Sequence, residues 1–468
     1  MNSTRAKLRA SQGLLCMVGA TALLFAGGVQ AAVSAAEAAK LGRQLTAMGA
    51  EQAGNAAGTI PAYTGGLPVD SAPAGYRPGD SMLPDPFAGE APSLIITHAN
   101  LAQHQGQLTA VTQALFERYA DFRVQVYPTH RSASVRQVIL DNTRKNATGA
   151  RSIEGGLAME NVLPGVPFPI PTSGHEAMWN HLFRNPGHSG YDFTTKFDSW
   201  NVDAAGQATL ATRGEAFASF PLIDAARINQ PVSGSEIYYR LKVNYSEPAR
   251  RAGEAILVQD AVNPLQQPRR AWQYLSGQRR VKLAPDIAYD TPNPGTAGAS
   301  VYDDAGVFNG AMDRYNWKLL GKKEMYIPYN AYKLTYEQNP ELYLKPNYLD
   351  PAFVRWELHR VWVVEATLQP GKRHVYAKRL FYLDEDSWSA VASDQYDERG
   401  QLYRGSFAFI APSWAVQSVN AATSMIYDLT SGAYNISGVY GPHGGIRYIK
   451  SLSRGQWSPE SLAGSGVR

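Results

Sequence analysis

Two arms of alternating apolar and polar residues stand out along the chain. Val354, Trp356, Leu358, Trp362, Val364, Ala366 and Leu368 share one parity, and only Arg360 interrupts it. Period-two alternation predicts a half-buried β-strand. At about 3.3 Å per residue the run from Val354 to Leu368 would span roughly 50 Å, against about 5–6 residues for an ordinary strand. Pro370-Gly371 predicts a turn, and His374 to Leu383 predicts a returning strand. In that second arm Val375, Ala377, Phe381 and Leu383 fall on one side, while Tyr376, Leu380 and Tyr382 alternate with Lys378 on the other. Apolar residues on both faces predict that both sides are covered. Long strands of this kind build large curved antiparallel sheets, and curved sheets make cavities.

Further strands with turn signals between them are read at Glu236 to Tyr245, Glu254 to Gln259, Trp272 to Tyr274, Arg280 to Leu283, Trp388 to Tyr396, Leu402 to Phe409 and Ser424 to Leu429. Short turns between successive strands predict an antiparallel meander, interrupted by a long loop around Pro292 to Gly295. The part before about residue 190 differs. Leu41 and Leu45 lie at helical spacing after an Ala-rich start, and 58–92 is dense in Gly and Pro. Helical patterns recur at Thr109 to Tyr119 and Ser132 to Thr143. A second Gly/Pro-rich loop ends at Ser173, with Glu176 three residues on, which is a capping box for a short helix bearing Met178, Trp179 and Leu182. The expected organisation is a signal peptide over 1–31, a helical and extended region over 32–189 packing on the sheet, and an antiparallel core over 190–468.

The start of the chain adds an address. Arg5, Lys7 and Arg9 precede an apolar run from Gly13 to Gly28. That run is too short to span a membrane comfortably, and Val29-Gln30-Ala31 is an acceptable cleavage site, with Val33-Ser34-Ala35 as the second choice. Cys16, the only cysteine, lies inside the run behind Leu14 and Leu15, which is not the position of a lipidated cysteine. The expectation is export to the periplasm with no membrane-spanning segment. Removing 1–31 takes away three basic residues and leaves 41 Lys and Arg against 40 Asp and Glu. Nothing in that balance points to nucleic acid. Aromatic residues make up 11% of the chain, with 26 Tyr and 9 Trp, a composition suited to cavities and interfaces.

Candidate chemistry is sparse. His175 and His181 are six apart, not the four that would bring two imidazoles to one helix face for zinc. Asp384, Glu385 and Asp386 read as an acidic hairpin turn, without the glycine and spacing of a calcium loop. His359 falls on the face opposite Trp356 and Leu358 and reads as a structural hydrogen-bonder. No nucleophile elbow, phosphate loop or dinucleotide fingerprint is present. Arg269, Arg270, Arg279, Arg280 and Lys282 flank the Ser276-Gly277 turn. They read either as a patch for an anionic head group or acidic partner, or as a solvated edge strand protected by charge.

Several long blocks carry a family resemblance. They are MGAEQAGNAAGTIPAYTGGL at 48–67, FERYADFRVQVYPTHR at 116–131, GVPFPIPTSGHEAMWNH at 165–181, RRAWQYLSGQRRVKLAPDIAYDTP at 269–292, FNGAMDRYNWKLLGKKEMYIPYN at 308–330, and ELHRVWVVEATLQPGKRHVYAKRLFYLDEDSW at 357–388, followed by DQYDERGQLYR at 394–404. Through them the chain closely resembles the bacterial family known as domain of unknown function 1329. The resemblance implies a fold similar to the periplasmic lipoprotein carriers LolA and LolB. That is an α+β fold in which a strongly curved antiparallel sheet forms an incomplete half-barrel covered by helices. It also implies association with an outer-membrane protein and a hydrophobe-exporting transporter.

The expected function is binding or carriage of a lipid or other hydrophobic molecule in envelope transport, with no enzyme activity, cofactor or metal. The expected cavity liners are Trp356, Trp362, Val364, Tyr376, Leu380 and Trp388. The alternatives are a non-catalytic adaptor between a transporter and an outer-membrane protein, and an envelope hydrolase.

Overall fold

The computed structural model describes residues 33–184, 191–420 and 423–465. The expected export signal and its cleavage site lie outside the described residues. Helices are few: α1 (Ala35–Ala38), α2 (Leu101–His104), α3 (Ala110–Arg118), α4 (Gln137–Gly149), α5 (Gly174–Phe183), α6 (Tyr332–Thr335) and α7 (Ser461–Ser465). The strands of the N-terminal region are short: β1 (Leu94–Ile96), β2 (Val124–Val126), β3 (Arg151–Ile153) and β4 (Ala158–Glu160).

Then the long strands begin, with β5 (Tyr191–Val202), β6 (Ala208–Ser219), β7 (Ile237–Glu247), β8 (Ala255–Ala261), β9 (Arg270–Leu275) and β10 (Arg280–Leu283). A loop over 284–314 separates these from β11 (Tyr315–Pro328), β12 (Trp356–Leu368), β13 (Lys378–Asp384), β14 (Ala390–Tyr396) and β15 (Leu402–Ala408). The chain finishes with β16 (Ala411–Ser413), β17 (Ser418–Asn420), β18 (Ser424–Asp428), β19 (Ala433–Val439) and β20 (Arg447–Lys450).

One sheet holds 16 of these strands. Its main path runs β11-β12-β13-β14-β15-β18-β19-β5-β6-β7-β8-β9-β10, with β20 added to β5 and the β1-β2 pair meeting β12 at Trp356. The neighbours along that path are antiparallel. The two halves of the meander join where β19 pairs with β5. The edges, β11 and β10, do not pair with each other, so the curved sheet is an open half-barrel.

The predicted hairpin is the β12-β13 pair, but its returning arm starts later than the alternation suggests. Residues 369–377 form a connection, and Asp303 and Asp290 from the 284–314 loop hold it through His374 Nε2 (3.0 Å) and Val375 N (2.9 Å). Three of the longest strands, β5, β6 and β11, were not read from the sequence. In β5 the apolar positions Phe193, Phe197 and Trp200 skip the two-residue period; β6 is rich in small residues; and β11 carries a register shift between Leu319 and Gly321 among its lysines. The helical spacing of Leu41 and Leu45 gives no helix: α1 ends at Ala38, and Gly42 between the two leucines takes a left-handed conformation beside the Arg144 guanidinium. Similarly, α4 starts at Gln137 rather than Ser132, since 132–134 is held extended by Leu67 N to Ser132 O and Tyr63 Oη to Ala133 O.

Helices cover the sheet by specific anchors. The first amides of α3, Ala110 N and Val111 N, donate to the buried Asp394 carboxylate of β14 at 3.0 and 2.9 Å, which also suits the positive end of the helix dipole. Val111 packs onto β15 at Gly405, where any Cβ would overlap it. Ser173 caps α5 by accepting from Glu176 N, and Glu176 in turn accepts from Thr172 N, completing the predicted box one residue early. Gly174 lets α5 start directly against Trp317 and Lys318 of β11.

Candidate functional site

The concave face of the sheet does not close on itself. Between it and the 284–314 loop lies a cavity of about 280 Å³. Phe197 of β5, Ala216 of β6, Leu241 and Val243 of β7, and Ile426 of β18 form its sheet wall, while Phe308 and Ala305 of the loop form the opposite side. A second cavity of about 170 Å³ adjoins it, sharing Phe197, Leu241 and Val243 and reaching Ile256 and Ile287. Ring pairs stiffen the wall, with Phe193 on Phe220 at 6.1 Å and Phe220 on Tyr239 at 5.4 Å. Most polar groups in the wall are satisfied internally: Asn435 Nδ2 donates to Ser199 Oγ and Trp200 O at 3.0 Å, and Thr296 and Ser300 bond each other at 3.0 Å. An apolar cavity with a few fixed polar groups is the usual form of a small-molecule site.

The loop is a plug, and a buried ion cluster pins it. Arg379 of β13, fully buried, donates to Asp303 Oδ2 (3.0 Å), Asp304 Oδ1 (2.9 Å) and Val307 O (3.2 Å). Tyr376 Oη and Gln395 Nε2 add bonds to Asp304 at 2.9 and 3.0 Å. Burial pushes both carboxyls up. At Asp303 the charges of Arg379 and His374 outweigh it and hold that group below its ordinary value. At Asp304 burial wins over Arg379, helped by repulsion from Asp303, and that carboxyl stays raised.

A second buried cluster lies at the β13-β14 turn. The sequence reading of 384–386 as a turn holds, but the turn is covered rather than solvated: Asp384, Glu385 and Asp386 are 0%, 1% and 3% exposed. The N-terminal segment crosses it. Arg131 binds Asp386 at 2.6 Å and Glu385 at 3.2 Å, Glu51 N donates to Glu385 at 3.2 Å, and Trp388 Nε1 donates to Met48 O at 2.8 Å. His359 Nε2 meets Glu357 at 3.0 Å, and its Nδ1 lies 4.0 Å from Asp384 Oδ1. Burial first, then repulsion from Asp386, raises the Asp384 carboxyl to about 7.

His359, Asp384 and Asp386 place ligand atoms within 4.8 Å of one another. Both Asp386 oxygens are held by Arg131, however, so a cation would have to displace that guanidinium. Ser387 Oγ donates to Asp384 at 2.6 Å and makes no bond to His359. A histidine, a carboxylate and a serine are therefore close, but all three are buried.

The six expected cavity liners do not converge on one site, and none of them lines either cavity. Trp362 stacks on Trp388 at 5.9 Å under the N-terminal segment, and Trp356 meets Phe407 at 5.6 Å. Val364 is core, Tyr376 belongs to the plug clamp, and Leu380 packs at the margin of the main core. Of the five cations at the β9-β10 hairpin, Arg269 is separate: its side chain is buried on Asp260 at 2.7 Å. Arg270, Arg279, Arg280 and Lys282 are exposed and form no ion pair among the described residues. His181 is fully buried and structural, with Nε2 to Phe308 O and Ala390 N to its Nδ1, both at 2.9 Å. Burial lowers His175 to about 4.

The residues that do line the cavity were partly visible in the sequence. Tyr239, Leu241, Val243 and Tyr245 alternate within the predicted strand, but alternation alone does not say which face is concave.

Residues 95–463 match the family described as "Protein of unknown function (DUF1329)". The "Uncharacterized protein PA3922" of Pseudomonas aeruginosa is 40% identical over 462 residues, covering 97% of this chain and 99% of its own. Among solved structures, the chain is similar to one described as an outer membrane lipoprotein-sorting protein domain from Vibrio parahaemolyticus, with a TM-score of 0.41 and 14% identity over 62% of this chain and 97% of that one. It is also similar to a DUF1329 family protein from Desulfovibrio piger, with a TM-score of 0.38 and 14% identity over 58% and 91%. A LolA superfamily protein, NE2245 from Nitrosomonas europaea, gives 0.36 and 13% over 62% and 100%.

Proposed function

This chain belongs to the DUF1329 family, and we propose that it is an exported envelope protein that binds and carries a small hydrophobic molecule. The observation that carries this reading is the cavity of about 280 Å³ between the concave sheet face and the plug, walled by Phe197, Leu241, Val243, Ile426 and Phe308. Each methylene moved from water into such a wall contributes about 0.8 kcal/mol, so a chain of modest length binds without any catalytic group. The N-terminal charge and hydropathy pattern supports export, and among the described residues no helix is long and apolar enough to cross a membrane.

A second feature favours delivery at an anionic membrane surface. Arg270, Arg279, Arg280 and Lys282 stand on the sheet's edge hairpin beside Leu283, which is 60% exposed. Cations next to an exposed apolar side chain suit anionic head groups.

The test is uptake of a fluorescent fatty acid by the purified protein and by Val243→Trp, which fills the cavity from its wall. Uptake by the native chain and loss in the variant, with unfolding temperature preserved, is the expected result. Failure of the native chain to take up the probe, together with absence of lipid in native mass spectrometry of protein from its own host, would remove the carrier reading.

A further inference from the structure

The two cavities contain two cationic side chains in their walls, and they are treated differently. Arg269, in the smaller one, is neutralised by both oxygens of Asp260 at 2.7 Å. Arg184, in the larger one, has no carboxylate within ion-pair distance among the described residues. The stretch that follows it, NPGHSG at 185–190, contains no acidic residue. Asp304, which lines the same cavity, is already occupied by Arg379, Gln395, Tyr376 and Val301 N.

Arg184 sits at the C-terminal end of α5. Its Nη1 donates to His181 O at 2.5 Å, and the carbonyl end of the helix gives it partial compensation. The His181 Nδ1 beside it, at 3.3 Å, accepts already from Ala390 N. The Nε of Arg184 is buried with no hydrogen-bond partner. Its Nη2 lies near the Gly306 backbone, 3.8 Å from where a Cβ would stand. Burial lowers this guanidinium to about 10, which still leaves it charged at neutral pH.

A half-buried, charged guanidinium whose Nε is fully covered and which has no counter-ion among the described residues is costly to the empty protein. An anion that enters the cavity removes that cost. The edge with an unused donor is the Nε side of the guanidinium. A carboxylate matches such an edge with two parallel bonds and one charge, whereas a phosphate can bond it the same way but brings nearly two charges against one guanidinium. Next to it the wall is ring and aliphatic surface, from Phe193, Phe220 and Leu182. At about 280 Å³ the space lies at the lower edge of ligand sites, about 300–1,000 Å³. One chain or a small ring system fits, and a lipid of two or three chains does not.

We infer that the cavity takes a single-tailed amphiphile with a carboxylate head, and that Arg184 is the counter-charge for that head. This rests on the carrier reading and gives it a ligand class.

The experiment compares laurate, dodecanol and dodecyl phosphate, which share one tail, by displacement of a neutral fluorescent probe at pH 8. The proteins are the native chain, Arg184→Lys and Arg184→Met. Laurate is expected to bind the native chain about 10- to 100-fold more tightly than dodecanol. The gap should shrink in Arg184→Lys and vanish in Arg184→Met, whose dodecanol affinity stays within about twofold of native. Ligand-free Arg184→Met should unfold at a higher temperature than the native chain, and laurate should raise the native unfolding temperature more than that of the variant.

Equal binding of laurate and dodecanol by the native chain overturns the inference and leaves the carrier reading in place. Dodecyl phosphate binding as tightly as laurate overturns the carboxylate assignment. A laurate preference that persists in Arg184→Met overturns the role of Arg184. Binding of none of the three removes the carrier reading itself, and the inference with it.

Discussion

Replacing Arg379 with Met is the sharpest probe of how the plug is held. The thioether chain keeps much of the volume among the rings of Phe308, Tyr376 and Phe381, which lie 4.8–5.3 Å from the guanidinium, and deletes the charge alone. Three acceptors lose a donor: Asp303, Asp304 and Val307 O. Asp303 keeps His374 at 3.0 Å, whose hydrogen bond and charge hold that carboxyl down. Asp304 keeps only neutral donors, Tyr376 Oη, Gln395 Nε2 and Val301 N.

One uncompensated buried carboxylate therefore remains. Removing one partner of a buried pair costs about 3–5 kcal/mol, a large part of the 5–15 kcal/mol that holds most domains together. The carboxyl left behind is raised further above its unfolded value. Its stabilising contribution is complete only below the unfolded value and is lost as pH rises through the folded one. The deficit should therefore widen between pH 5 and pH 8, and Arg379→Met/Asp304→Asn should recover most of it. Urea unfolding followed by tryptophan fluorescence at the two pH values measures this, since Trp317 stacks on Phe381 at 5.7 Å. A loss below about 1 kcal/mol that does not change with pH would refute the view that this cluster pins the plug.

The buried acidic turn gives a prediction of opposite sign. Asp384 is raised to about 7 from its ordinary 3.8, so the folded chain holds a proton that the unfolded chain releases, and stability falls as pH climbs from about 4 to about 7. In Asp384→Asn the oxygen can keep Ser387 and Tyr329 as donors, while the amide nitrogen takes the place of the unpartnered Oδ1 facing His359. The variant should be more stable than the native chain at pH 8, by no more than about 4 kcal/mol, with little gain at pH 4; equal denaturation midpoints at both pH values would count against it. At the edge hairpin, reversing Arg270, Arg279, Arg280 and Lys282 to Glu should leave the unfolding temperature nearly unchanged, because exposed unpaired charges contribute little. The same change should abolish sedimentation with vesicles containing phosphatidylserine at low salt, and unaltered sedimentation would remove the head-group reading of that patch.

What the sequence makes legible follows from which forces are local. Turn chemistry and period-two burial are local, so β7 to β10 and β12 to β15 could be read to within a few residues. In β5, β6 and β11, small and charged residues occupy positions that neighbouring strands and the covering segments shelter. Lys322 shows the difficulty: in sequence it reads as solvated, yet its amine lies over the Trp362 ring at 4.9 Å and binds Glu385 at 2.8 Å. Its burial depends on a turn more than sixty residues away.

The site was harder for a related reason. The hairpin with the strongest alternation, β12-β13, is covered on both faces along most of its length, and strong alternation there reflects that packing. A cavity needs a wall that nothing fills, and the sheet offers one at β5 to β7 and β18 to β19, where residues such as Ala216, Ser424 and Ser437 are too small to meet the plug. Small residues leave little hydrophobic signal, so the pattern that best announces a strand points away from the space a ligand would use. Arg184 is invisible for the same reason. It is one arginine among many until the fold half-buries it beside that space with no carboxylate in reach among the described residues, and only then does its charge become a statement about what enters.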